Sequence, residues 1–151
     1  RAGSEAEISF KKLQLHSRLS TLTLNFGKEG TQMIITNNPD AAEAKLLETE
    51  FVQGTPLDVL QRVSERLDGG MHLVTPPLSA NNRLNRNPYR SIIMSSKVSW
   101  SGNEFDLFER GRNHLAQQGF VNDISADVDY RWIDLEHLRT AVEEAKAYKT
   151  L

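Results

Sequence analysis

Residues 55–70 mark both ends of one helix, and the surrounding chain has to be arranged to cover it. Thr55 is a helix-capping residue, Pro56 suits the first helical position, and Asp58 stands three places after the cap, where a carboxylate meets the positive helix end. Leu57, Leu60, Val63 and Leu67 recur at helical spacing and make one apolar stripe. Gly69-Gly70 stops the helix. A stripe of that kind needs a sheet or other helices to bury it.

Strand-like segments supply the sheet. Residues 8–15 and 19–26 read as strands, the second alternating at Leu22, Leu24 and Phe26. Gly27-Lys28-Glu29-Gly30 is a turn, and Met33-Ile34-Ile35 begins a third strand that completes a hairpin. Asn37-Asn38-Pro39-Asp40 breaks the pattern. A helical turn at Ala41 to Lys45 leads to a strand at 46–52, and Met71 to Val74 forms a short strand stopped by Pro76-Pro77. Residues 78–90 are a polar loop. Ile92 to Met94, continuing toward Trp100, is a strand, and Asn103 caps a helix at 104–117 that ends at Gly119. Phe120-Val121 and 126–132 read as extended. Residues 134–149 form a last helix through Leu135, Leu138, Val142 and Ala145.

Two of these units echo each other. Gly54, Thr55, Asp58, Arg62 and Leu67 align with Gly102, Asn103, Asp106, Arg110 and Leu115 at a constant offset. Such an echo arises from true structural repetition or from the shared physics of capping. The expected class is α+β. An N-terminal β-hairpin or meander (1–40) precedes a 41–133 α/β core of two βαβ-like units, with two short helices on small mixed sheets, and a C-terminal helix (134–151) completes a single domain.

Composition narrows the function. The 151 residues are 38% hydrophobic and 25% charged, which suits a globular chain with a real core. The formal net charge of −2 provides no overall attraction to nucleic acid or anionic membrane, so such binding needs a local patch. The absence of cysteine excludes disulfides, thiol catalysis and thiolate metal sites. No apolar run is long enough for a membrane-spanning helix.

The stretch from Glu50 through Thr55-Pro56-Leu57 and Val59-Leu60 to Gly70 and Val74 is similar to the short N-terminal domain of secretins and TonB-dependent transducers. Lys97 to Ser101, Asn103 to Gln118 and Phe120 to Trp132 follow that family's order of elements. The resemblance covers 46–132 and rests on apolar and glycine positions. It departs in a longer, more basic 75–90 loop and in the first 40 residues, which have no counterpart. It implies a periplasmic or cell-envelope docking domain of a secretion machine that binds protein partners or itself and has no active site; cytoplasm is the alternative compartment.

Motifs of catalysis are missing. The histidines His16, His72, His114 and His137 form no H-x-x-x-H or H-E-x-x-H pair, and neither a nucleophile elbow nor a phosphate-cradling glycine loop occurs. His72 reads as an exposed strand residue and His137 as part of a solvated helix face. Asp123, Asp127, Asp129 and Asp134 lie close together but miss the calcium-loop spacing. The most suggestive segment is 79–90, with Arg83, Arg86, Arg90, Tyr89 and four asparagines but no acid. Arginine forks grip phosphate or carboxylate, and an aromatic adds stacking. Arg83, Arg86, Tyr89, Arg90 and Lys97 are therefore the expected partner- or anion-binding residues. No catalytic residue, metal ligand or cofactor is expected. The leading expectation is a non-enzymatic protein–protein assembly domain, with nucleic-acid binding through the basic loop as the alternative.

Overall fold

The computed structural model describes residues 30–79, 82–97, 103–122 and 124–147. The expected strands at 8–15 and 19–26 lie outside them. One compact unit runs from Gln32 onward. Its elements are β1 (Gln32–Thr36), α1 (Pro39–Ala44), β2 (Glu48–Phe51), α2 (Pro56–Asp68), β3 (His72–Leu73), α3 (Asn82–Asn85), β4 (Ser91–Ser95), α4 (Glu104–Gln118) and α5 (Asp127–Ala147), with a 3₁₀ turn at Ile124–Ala126 before α5.

The strands form one mixed sheet in the order β2-β1-β4-β3. β1 runs parallel to β2, with Met33 opposite Glu48, and antiparallel to β4, with Ile34 opposite Ile93. β3 closes the far edge against β4. The class is α+β, as expected. The strand at 32–36 is central to this sheet, flanked on both sides, so residues 32–40 belong with the core.

The two central strands are apolar at consecutive positions because both sheet faces are covered. On one face Met33, Ile35, Ile92 and Met94 meet Val59, Leu60 and Val63 of α2 and Phe108 and Leu115 of α4. On the other, Ile34 and Ile93 meet Ala41 of α1 and Leu138 and Val142 of α5. The result is three layers, helix–sheet–helix.

Helix α2 forms as its sequence dictates. The Thr55 side chain accepts from the Asp58 backbone N–H, and the Asp58 carboxylate accepts from the Thr55 N–H at 2.7 Å, a complete capping box. Gly54 has φ +151°, and a Cβ there would stand 2.3 Å from Asp58 Oδ2, so glycine is required beside the cap. The echo with α4 is partial. Leu67 and Leu115 share one core, but Asn103 makes no side-chain cap bond and Asp106 pairs with Arg110 instead.

The extended reading of 126–132 is wrong: residues 127–132 open α5. Asp127-Val128-Asp129-Tyr130-Arg131-Trp132 mimics the two-residue period of a strand. Val128 and Trp132 are instead four apart on the outer helix face, Trp132 60% exposed, while Asp127 and Asp129 sit at the positive end of the helix dipole. No strand follows α4 among the described residues, so the second βαβ-like unit lacks its closing strand. Among the described residues, no helix is long and apolar enough to cross a membrane.

Candidate functional site

The end of β1 and the start of β4 carry a concentration of buried polar side chains: Thr36, Asn37, Asn38, Asn85, Asn87 and Arg90. Buried polar groups need partners, and here the partners define the site. Asn38 caps α1, its Oδ1 accepting from the Asp40 N–H at 3.0 Å. Its amide nitrogen donates at 2.9 Å both to the Arg131 carbonyl and to Asp134 Oδ2. Asn37 donates to the carbonyls of Gly54 (3.0 Å) and Pro88 (2.9 Å) and accepts from the Arg90 backbone N–H (2.8 Å). These two asparagines tie the β1 end to α5, to the turn before α2 and to the segment before β4.

A directed chain of hydroxyls runs beside them. The Asn38 N–H donates to Thr36 Oγ1 at 2.9 Å, Thr36 and Ser91 hydroxyls lie 2.7 Å apart, and Ser91 donates to Asp134 Oδ2 at 2.6 Å. A hydroxyl has a single proton. With the Ser91 proton committed to Asp134, Thr36 must be the donor to Ser91. Burial drives the Asp134 pKa up from the ordinary carboxylate value; the bonds from Ser91 and Asn38 and the nearby Arg90 and His137 pull it back only in part.

The 78–90 segment is not a free polar loop. Asn85 staples it, accepting from the Ser79 N–H (2.7 Å) and donating to the Ser79 carbonyl (2.9 Å). Asn87 accepts from the Tyr89 N–H and donates to the Tyr130 carbonyl, both at 2.9 Å. The expected anion-binding residues part company on this framework. Arg83 and Arg86 are exposed on and just after α3. Lys97 is exposed beyond the opposite end of β4, separated from Arg90 by about 17 Å of strand at 3.4 Å per residue. The Tyr89 hydroxyl donates to Asp127, which also pairs with Arg131. Desolvation, then the bond and charge of Asp127, push the Tyr89 phenol up to about 12.

Arg90 turns inward and is only 7% exposed. Two of its nitrogens donate to Asn85, one to the side-chain Oδ1 at 3.3 Å and one to the backbone carbonyl at 2.9 Å, while its buried Nε has no partner. Desolvation lowers its pKa, and the charge of Asp134 opposes that shift.

Arg90 and Asp134 line the same cleft, of about 250 Å³, between the segments preceding β4 and the face of α5. Tyr89, Ser91 and His137 are among its other polar residues; Pro76, Leu84, Ile133, Leu138 and Ala141 provide apolar surface. His137, expected on a solvated face, is exposed and contributes to this cleft. His72 is instead partly buried at the far sheet edge, its Nδ1 2.9 Å from Glu104. Among the described residues, no three histidines or acids gather as a metal site.

A family model described as GrdX-like protein matches residues 33–143, the span that includes β1, β4, Arg90 and Asp134. The chain belongs to the GrdX-like protein family. No curated protein and no solved structure gives a significant match. The GrdX-like span contains all of 46–132, on which the resemblance to secretin and TonB-transducer domains rested, and it is a different family. The docking role in a secretion machine and the secretin-like label are therefore corrected. The nucleic-acid alternative gains no support from the family either, and the GrdX-like fold turns Arg90, one of the three arginines of the basic segment, away from the surface.

The residues that organise the site were mostly missed in the sequence. Asn37 and Asn38 looked like a strand breaker, and Asp134 like one acid among several. The available signal was the density of asparagine at 37, 38, 85 and 87, because asparagine bonds backbone in turns and caps.

Proposed function

We propose that this domain binds a small organic molecule in the cleft between α5 and the segment preceding β4, and that it holds the molecule rather than transforming it. One observation carries the reading: Arg90, only 7% exposed, lines the cleft with no ion pair among the described residues, and each terminal nitrogen keeps a second N–H beyond its bond to Asn85. A buried guanidinium with an unused donor is costly unless something else accepts from it. The cleft volume of about 250 Å³ lies just below the range for drug-sized ligands, which favours a small metabolite over a nucleotide.

The binding reading is preferred to catalysis because the groups that could act as nucleophile or base each already carry a bond that holds the fold. Asp134 is engaged by Ser91 and Asn38, and Asp127 by Tyr89 and Arg131. The Ser91 proton goes to a carboxylate that is already shared, which leaves no activated nucleophile.

The test is thermal unfolding of the full chain against a panel of small metabolites, repeated with Ala141→Phe, which fills the cleft without touching its charged groups. A true ligand at about 100 times its Kd should stabilise the wild type by about 2.7 kcal/mol and leave Ala141→Phe unmoved. Equal stabilisation of both proteins would place the ligand elsewhere, and a panel with no stabilising member would refute the proposal.

A further inference from the structure

Arg90 and Asp134 feel each other's charge within one cleft, yet among the described residues no ion pair joins them. Arg90 spends one N–H of each terminal nitrogen on Asn85 and keeps a second on each. Asp134 receives the Ser91 and Asn38 bonds on the same oxygen, Oδ2, and neither falls on Oδ1. Two opposite charges set apart, each with unused bonding capacity, ask for a ligand that carries the complementary pair.

Resting on the small-ligand reading above, we infer that the ligand is an α-amino acid with an aliphatic side chain, its carboxylate directed at Arg90 and its ammonium at Asp134. An arginine fork matches a carboxylate, and a half-buried carboxylate with a free oxygen matches an ammonium donor. Bridging them neutralises both charges at once, which neither a simple acid nor a simple amine achieves. The side chain falls to the apolar part of the cleft, where Leu84, Ile133, Leu138 and Ala141 offer hydrocarbon contact and no cation or anion.

Titration calorimetry on the wild-type full chain separates the parts of the idea without depending on how any variant folds. The probes are L-leucine, isocaproate (the same skeleton without the amine), isoamylamine (the same skeleton without the carboxylate) and glycine. The expected result is saturable leucine binding, with each of the other three at least roughly tenfold weaker, the loss that follows from removing one charge-assisted bond or the apolar contact. Arg90→Met and Asp134→Asn should each weaken leucine by a similar factor; circular dichroism confirms that they are folded. Isocaproate binding as well as leucine would overturn the zwitterion assignment while leaving the small-ligand reading intact. Glycine matching leucine would overturn the aliphatic part. Failure of all four probes, with a stabilising hit of other chemistry in the metabolite panel, would overturn this inference alone; failure with no hit would overturn both.

Discussion

Ser91 and Asp134 meet oxygen to oxygen at 2.6 Å, and that bond joins the first residue of β4 to the third turn of α5. The same carboxylate oxygen takes the Asn38 amide at 2.9 Å, so strand, helix and the α1 cap converge on one atom.

The pH dependence of stability should show this convergence. Asp134 has its pKa raised by burial, so between the ordinary carboxyl value of about 3.9 and its raised value the folded chain binds a proton that the unfolded chain releases. The stabilising contribution is fully present below the ordinary value and is lost as pH rises through the raised one. Denaturant unfolding from about pH 4 to pH 8 should therefore show the stability of wild type relative to Asp134→Asn falling as pH rises. A difference that is flat, or that grows with pH, would contradict the arrangement.

Removing the Asn38 side chain should be among the costlier single changes outside the apolar core. Asn38→Ala loses the α1 cap and leaves the Arg131 carbonyl and Asp134 each short of a donor. Destabilisation of about 3 kcal/mol is expected from urea melts; Asn38→Asp should recover the cap alone and place a second carboxylate against Asp134.

Ultraviolet titration should find Tyr89 ionising late. The Tyr89 phenol, desolvated and donating to Asp127, is expected to ionise near 12, after the ordinary range. Its contribution to stability is present below about 10 and lost through about 12. The late step should vanish in Tyr89→Phe and move down in Asp127→Asn.

Backbone geometry before α2 gives a sharper steric test. Gly54→Ala combines a positive φ with a Cβ forced onto Asp58 Oδ2. It should cost about 2 kcal/mol, and Gly54→Ala with Asp58→Ala should cost less than the sum of the two single changes, because the clash disappears with the carboxylate.

Much of the framework could be read from local chemistry. The capped helix at 55–68, the strands at 33–35 and 92–94, and the helix through 104–117 follow from caps, glycine stops and apolar runs, which act between neighbours in sequence. Residues 126–132 misled because alternation of acids with Val128, Tyr130 and Trp132 satisfies a strand period, while the helix depends on dipole favour and on Leu138 and Val142 further along. The site was read less well. The charge of Arg90 is plain in the sequence, but its inward turn depends on Asn85, and the cleft depends on a helix more than forty positions away. Those pairings are set by packing, which one-dimensional spacing does not encode.

Asn38 and Asp134 are 96 positions apart along the chain. Contacts of such long sequence separation close late in folding, because their loop entropy is met before any bond rewards it. A nascent chain halted before residue 134 has no Asp134 wall, so recognition capacity is acquired only once that part of the last helix has been made. Ligand binding should accordingly report complete maturation of the domain, in a way that helix content does not.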